Sequence, residues 1–92
     1  MRAAERTGLD NDAVCAMASA FDIACGRLIR AGVIDAANIE RLQRLIARRL
    51  LYYARLGERN DWRLARRAIF AVCAVVADER LAAEQAPLAE AI

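Results

Sequence analysis

The chain has 92 residues, of which 59% are apolar and 28% charged, with four Gly and one Pro. That length holds one domain with a small core; the composition is too apolar for disorder and too poor in turn formers for a many-stranded β fold. His is absent, which removes the commonest general base and the commonest metal ligand. With no Gly-rich phosphate loop either, the chain is expected to be non-catalytic and to need neither metal nor cofactor.

Near the start, an apolar stretch from Ala13 to Ala18 closes in Ala18-Ser19-Ala20 and imitates the cleavage end of a secretory signal. Glu5, Asp10 and Asp12 put acid where a signal carries positive charge, and the apolar run is short, so no export is expected. The longest uninterrupted apolar run, Ala68 to Ala77, is about half of what a helix needs to cross a bilayer. Cys15, Cys25 and Cys73 are odd in number, lie far apart and form no C-x-x-C pair. They read as thiols used as small core hydrophobes in a reducing cytoplasm.

Helix signals recur three times. Asp10, Asn11 and Asp12 can cap a first helix over about 12–31, which Gly32 stops; Asp35 opens a second over about 35–56, which Gly57 stops. Asn60 or Asp61 starts a third, over about 61–85, which Pro87 ends at the latest. Links of three to four residues force neighbouring helices antiparallel, so the expected fold is all-α, an up-down-up three-helix bundle formed by one domain spanning 1–92.

Projection at 100° per residue gives the first helix a large-residue face of Val14, Met17, Phe21, Cys25 and Leu28 beside a small-residue stripe of Ala13, Ala16, Ala20 and Ala24. On the third, Ile69, Val72 and Val76 form a bulky ridge beside Ala68, Ala71 and Ala74. One stripe per helix suffices for a monomer's core, so the surplus predicts a partner, first of all a second copy of the chain. Met17, Phe21, Ile69, Val72 and Val76 are the candidate interface. Arg49, on the edge of the apolar side of the second helix, joins them as one half of an ion pair with Glu79 or Asp78 of a second molecule.

All fourteen basic residues are Arg. Residues 41–67 hold nine of them against Glu58 and Asp61, a net +7, whereas residues 1–40 sum to −2 and residues 68–92 to −3. On the second helix Ile39, Leu42, Ile46, Leu50 and Tyr53 share a core face, and Arg41, Arg44, Arg48 and Arg55 lie opposite, bordered by Tyr52. Arg59 carries the charge into the turn, and Arg63, Arg66 and Arg67 continue it on the third helix. An anion could use the free N–H groups that open the third helix together with those three side chains, while Arg41 to Arg55 track a nucleic-acid backbone. Internal pairing is the competing account, since Asp10, Asp12, Arg59 and Arg63 gather at one end of such a bundle. A helix-turn-helix offers little recognition chemistry beyond Arg, so contacts would be to phosphates without sequence preference.

Two stretches, Ala20-Phe21-Asp22 with Ala24-Cys25, and Ala54-Arg55-Leu56-Gly57-Glu58-Arg59-Asn60-Asp61 followed by Leu64, resemble small hypothetical bacterial proteins in which one helix ends at Gly-Glu-Arg-Asx-Asp and another begins. The resemblance covers about a third of the chain. It implies an all-α fold and brings no assigned activity or catalytic residue. The expected function is a small helical interaction or regulatory module, self-associating and without a membrane role, with phosphate or nucleic-acid binding by the basic segment as the alternative.

Overall fold

The computed structural model describes the backbone of residues 9–91 and the side chains of residues 9–85. Glu5, part of the acidic start, and the two ends of the expected 1–92 domain lie outside the described residues. Among the described residues three helices, α1 (Asn11–Arg30), α2 (Ile39–Arg55) and α3 (Asp61–Ala91), make an all-α bundle in which every pair of helices is in contact.

The caps are chosen by local chemistry. Asp10 Oδ1 accepts the Ala13 N–H at 2.7 Å, satisfying one of the orphan donors that open α1. Both α1 and α2 end in a paired Schellman closure. The Val33 N–H donates to the Leu28 carbonyl and Gly32 N–H to Ile29; Glu58 N–H donates to Tyr53 and Gly57 N–H to Ala54. Gly32 (φ 78°) and Gly57 (φ 109°) take the left-handed positions that side chains resist.

Two boundaries differ from the sequence expectation. Asp35 does not open α2: its Oδ1 accepts from Ala37 and Asn38 N–H, the Asn38 Oδ1 accepts from Asp35 N–H, and the result is a closed turn from which α2 departs only at Ile39. The α1–α2 connection is therefore longer than expected, and Ile34 within it is buried. At the other end, α3 passes through Pro87 to Ala91. Proline removes one helical N–H, which leaves the Ala83 carbonyl unpaired; Ala83 is exposed, so water satisfies that carbonyl without burial cost.

Side-chain contacts fix the up-down-up order. Arg41 meets Glu79 and Arg67 lies over Tyr53, so α2 and α3 run antiparallel. Ser19 Oγ donates to Asp61 Oδ2 at 2.6 Å and, further along both helices, Leu28 and Arg30 share a cleft with Ile69 and Cys73, so α1 and α3 run parallel. Arg59 joins the ends, donating to the Ala54 carbonyl at 2.7 Å while its Nε lies 3.4 Å from Asp10 Oδ1.

The core is filled from α2 by Leu42, Ile46 and Leu50 and from α3 by Leu64, Ala65, Ala68 and Val72. On α1 the centre of the core is the alanine stripe of Ala13, Ala16, Ala20 and Ala24, with Cys25 and Leu28 beside it; Val14, read as part of the large-residue face, is 52% exposed. Alanines let the α1 backbone approach its two neighbours closely, and the long side chains of α2 occupy the space so defined. Because α2 begins at Ile39 and sets Arg41 beside Glu79, among the described residues α3 has no helix next to it beyond about Leu81. Residues 77–85 are all exposed, and the molecule measures 58 × 26 × 20 Å. Among the described residues no helix is long and apolar enough to cross a membrane.

Asp10 gives a pH test of the end-to-end tie. The Ala13 N–H foremost, with the Arg59 guanidinium as a lesser contributor, holds its carboxyl below the ordinary 3.8 against the opposing effect of desolvation. A depressed carboxyl contributes stability that is present above its unfolded value and is lost as pH falls through the folded one. Thermal melts of Asp10→Ala are therefore expected to show a deficit at neutral pH that shrinks below the ordinary carboxylate range.

Candidate functional site

The basic segment is split by the fold into two clusters. Arg41, Arg44 and Arg48 line an open cleft of about 370 Å³ with Leu45 on α2 and Val75 on α3. Arg41 is committed there: its two terminal nitrogens clasp the Glu79 carboxylate at 2.6 and 3.0 Å, the bidentate geometry that favours arginine. Arg63, Arg66 and Arg67 line a second, larger groove of about 690 Å³ on the outer side of α3, joined by Arg27 of α1 and by Ile69, Phe70 and Cys73. The Arg67 guanidinium carbon lies 4.7 Å from the Tyr53 ring centre and that of Arg27 lies 5.3 Å from Trp62, so two of these cations rest on aromatic faces. Arg55 is exposed at the end of α2 and lines neither cluster.

The opening turn of α3 is not the anion cradle that the sequence suggested. Asn60 Oδ1 accepts the Arg63 N–H at 3.0 Å and Asp61 Oδ1 the Trp62 N–H at 2.8 Å, while the Leu64 N–H bonds the Asn60 carbonyl. The Asp61 carboxylate adds negative charge at this turn, its Oδ2 accepting from the Ser19 hydroxyl. What remains open to a ligand is the arginine groove further along the helix.

The interface residues need correction as well. Val72 is fully buried in the core of the single chain and is unavailable to a partner. Ile69 and Val76 are half-buried and pack against that core, as do Met17 and Phe21. Ile69 faces the end of α1, sharing a cleft with Arg27, Leu28, Arg30 and Val33. α3 sits between two helices, so its inward arc is wider than one stripe and absorbs the ridge assigned to a partner. Arg49 is exposed, and Glu79, one of its expected acceptors from a second molecule, is held by Arg41 of the same chain.

The face of α3 left uncovered lies opposite. Phe70 is 77% exposed and Leu81 54%, and the exposed Ala74 and Ala77 fall between them on the same line. The spacing 70, 74, 77, 81 alternates four and three, the repeat of a helix seam that packs against another helix. Sequence inspection passed over this signal because ten consecutive apolar residues hide any periodicity. Along the same helix the charge changes sign, from Arg63, Arg66 and Arg67 near its start to Asp78, Glu79 and Glu84 further on.

Among the described residues no group of three or more Cys, Asp or Glu is placed to hold a metal ion. Cys15 and Cys73 are exposed free thiols; Cys25 is buried, which pushes its thiol up from the ordinary value. No family model, curated protein or solved structure matches this chain.

Proposed function

We propose that the protein is a small, non-catalytic interaction or regulatory module of the cytoplasm that self-associates through the outer face of α3. The observation that carries this reading is the exposed line of Phe70, Ala74, Ala77 and Leu81 on a helix that runs beyond the bundle. Burying a large apolar side chain is worth roughly 1.5–3 kcal/mol, so an interface that covers Phe70 and Leu81 from both copies gains enough to associate. The overhang strengthens the case: a stretch of helix with no tertiary packing is marginal in water, and a partner's surface supplies what the rest of the bundle does not. Light scattering at micromolar concentration is expected to give twice the 10.1 kDa chain mass. Phe70→Arg, at an exposed position, is expected to return it to the single-chain mass with an unchanged helical spectrum; a wild-type chain that is already single overturns the reading.

A second reading rests on the groove of Arg27, Arg63, Arg66 and Arg67 around Phe70. Cations beside an exposed ring suit a phosphate-bearing ligand, including single-stranded nucleic acid whose bases stack. Such binding would fall steeply with salt and weaken on Arg63→Glu with Arg66→Glu, whereas an apolar dimer seam is far less salt-sensitive.

A further inference from the structure

We infer that the occupant of the outer face of α3, resting on the self-association proposed above, is the α3 of a second copy docked antiparallel, with Phe70 against Leu81 of the second copy and Arg67 against its Glu84. Symmetric pairs are the commonest assemblies, and a two-fold axis across a helix makes that helix its own partner. The axis then falls between Val75 and Val76. Ala74 of each copy faces Ala77 of the other at the centre, where small side chains allow close approach, and a Phe70–Leu81 layer closes each side.

The register is selected by the seam itself. Sliding by one heptad in one direction sets Leu81 against Arg63; sliding in the other sets Ala74 against Glu84. Only the chosen register matches every member of the exposed line with an apolar residue. Orientation is selected by charge. Parallel pairing would lay Arg63, Arg66 and Arg67 beside their own copies and Glu84 beside Glu84, whereas the antiparallel arrangement brings Glu84 of each α3 to the arginine groove of the other.

The same arrangement accounts for two features that a single chain leaves unexplained. The part of α3 beyond Leu81, with no helix beside it among the described residues of its own bundle, lies along residues 60–70 of the other copy. The arginine groove, which among the described residues is lined by Arg27, Arg63, Arg66 and Arg67 and by no carboxylate, receives Glu84 in place of an external anion. Arg67 and Glu84 are both exposed; changing Arg67 also removes its contact with the Tyr53 ring, so the helical spectrum is recorded for each variant and the charge exchange separates pairing from folding.

Charge exchange tests the pairing. Arg67→Glu is expected to raise the dimer dissociation constant about tenfold, because each symmetric pair loses two attractions and gains two repulsions. Combining it with Glu84→Arg is expected to restore wild-type association, which a change in fold or in general surface charge would not do. For orientation, chains carrying Arg67→Cys are mixed under oxidation with chains carrying Glu84→Cys, both with Cys15→Ala and Cys73→Ala. The antiparallel pair gives the mixed disulfide and little of either homodimeric product. A wild-type dimer whose Arg67→Cys chains crosslink to each other, or a double charge exchange that fails to rescue, overturns the antiparallel register while leaving self-association standing. A wild-type chain that stays single overturns both.

Discussion

Leu42→Ala is expected to cost about 2–5 kcal/mol, the range for deleting a buried leucine whose cavity only partly collapses. Leu42 is fully buried in the first turn of α2, in one cluster with residues of α1, α3 and the α1–α2 connection. A domain of this size has a net stability of only about 0.05–0.15 kcal/mol per residue, so such a loss consumes a large part of it. Thermal unfolding should fall by at least about 8 °C, at roughly 4–8 °C per kcal/mol for a chain this short. Leu45→Ala, three residues on and only half-buried, should cost much less. Equal effects from the two would mean that the core is not where the bundle places it.

The contrast between α2 and its neighbours shows what a sequence discloses. α2 has one apolar face and one charged face, so Leu42, Ile46 and Leu50 could be placed inward from periodicity alone. The helix stops at Gly32 and Gly57 and the caps at Asp10 and Asn60 are equally legible, because each depends on backbone groups within a few residues. Asp35 was misplaced for the same local reason: its side chain can cap a helix or close a turn, and Asn38, three residues on, decides for the turn. α1 and α3 are apolar over most of their circumference, and there periodicity could not say which arc faces in. Bulk pointed to Met17, Phe21 and Val72 as a surplus, yet Val72 is core and alanines fill the centre of α1.

The candidate site was half legible. Its charge was evident as a run of arginines, but the groove needs Arg27, which lies far from Arg63 in the chain and arrives there only because α1 runs parallel to α3. Likewise, Arg41 leaves the basic surface through Glu79, a contact that depends on the α2–α3 register. Phe70 was hidden by its context, since one ring inside ten apolar residues looks like core until the neighbouring helices are in place.

Ala20→Leu is expected to destabilise the bundle by about 1–3 kcal/mol, the usual range for inserting methylenes into a packed site, although leucine and alanine are both good helix formers. Ala20 is 0% exposed on the stripe where α1 meets the other helices. Leucine there must move α1 outward, which also opens the Ser19–Asp61 hydrogen bond that docks the start of α3. Ala18→Leu is the control: the position is exposed on the opposite side of α1, two residues and so about 200° round the helix from Ala20, and the change should be within about 0.5 kcal/mol of neutral, as for surface substitutions generally. Denaturant midpoints measure both. If alanine on α1 were only a low-cost exposed surface, the two variants would behave alike; if it sets the distance between helices, only Ala20→Leu shifts the midpoint, and Ala24→Leu, one turn on and equally buried, follows it.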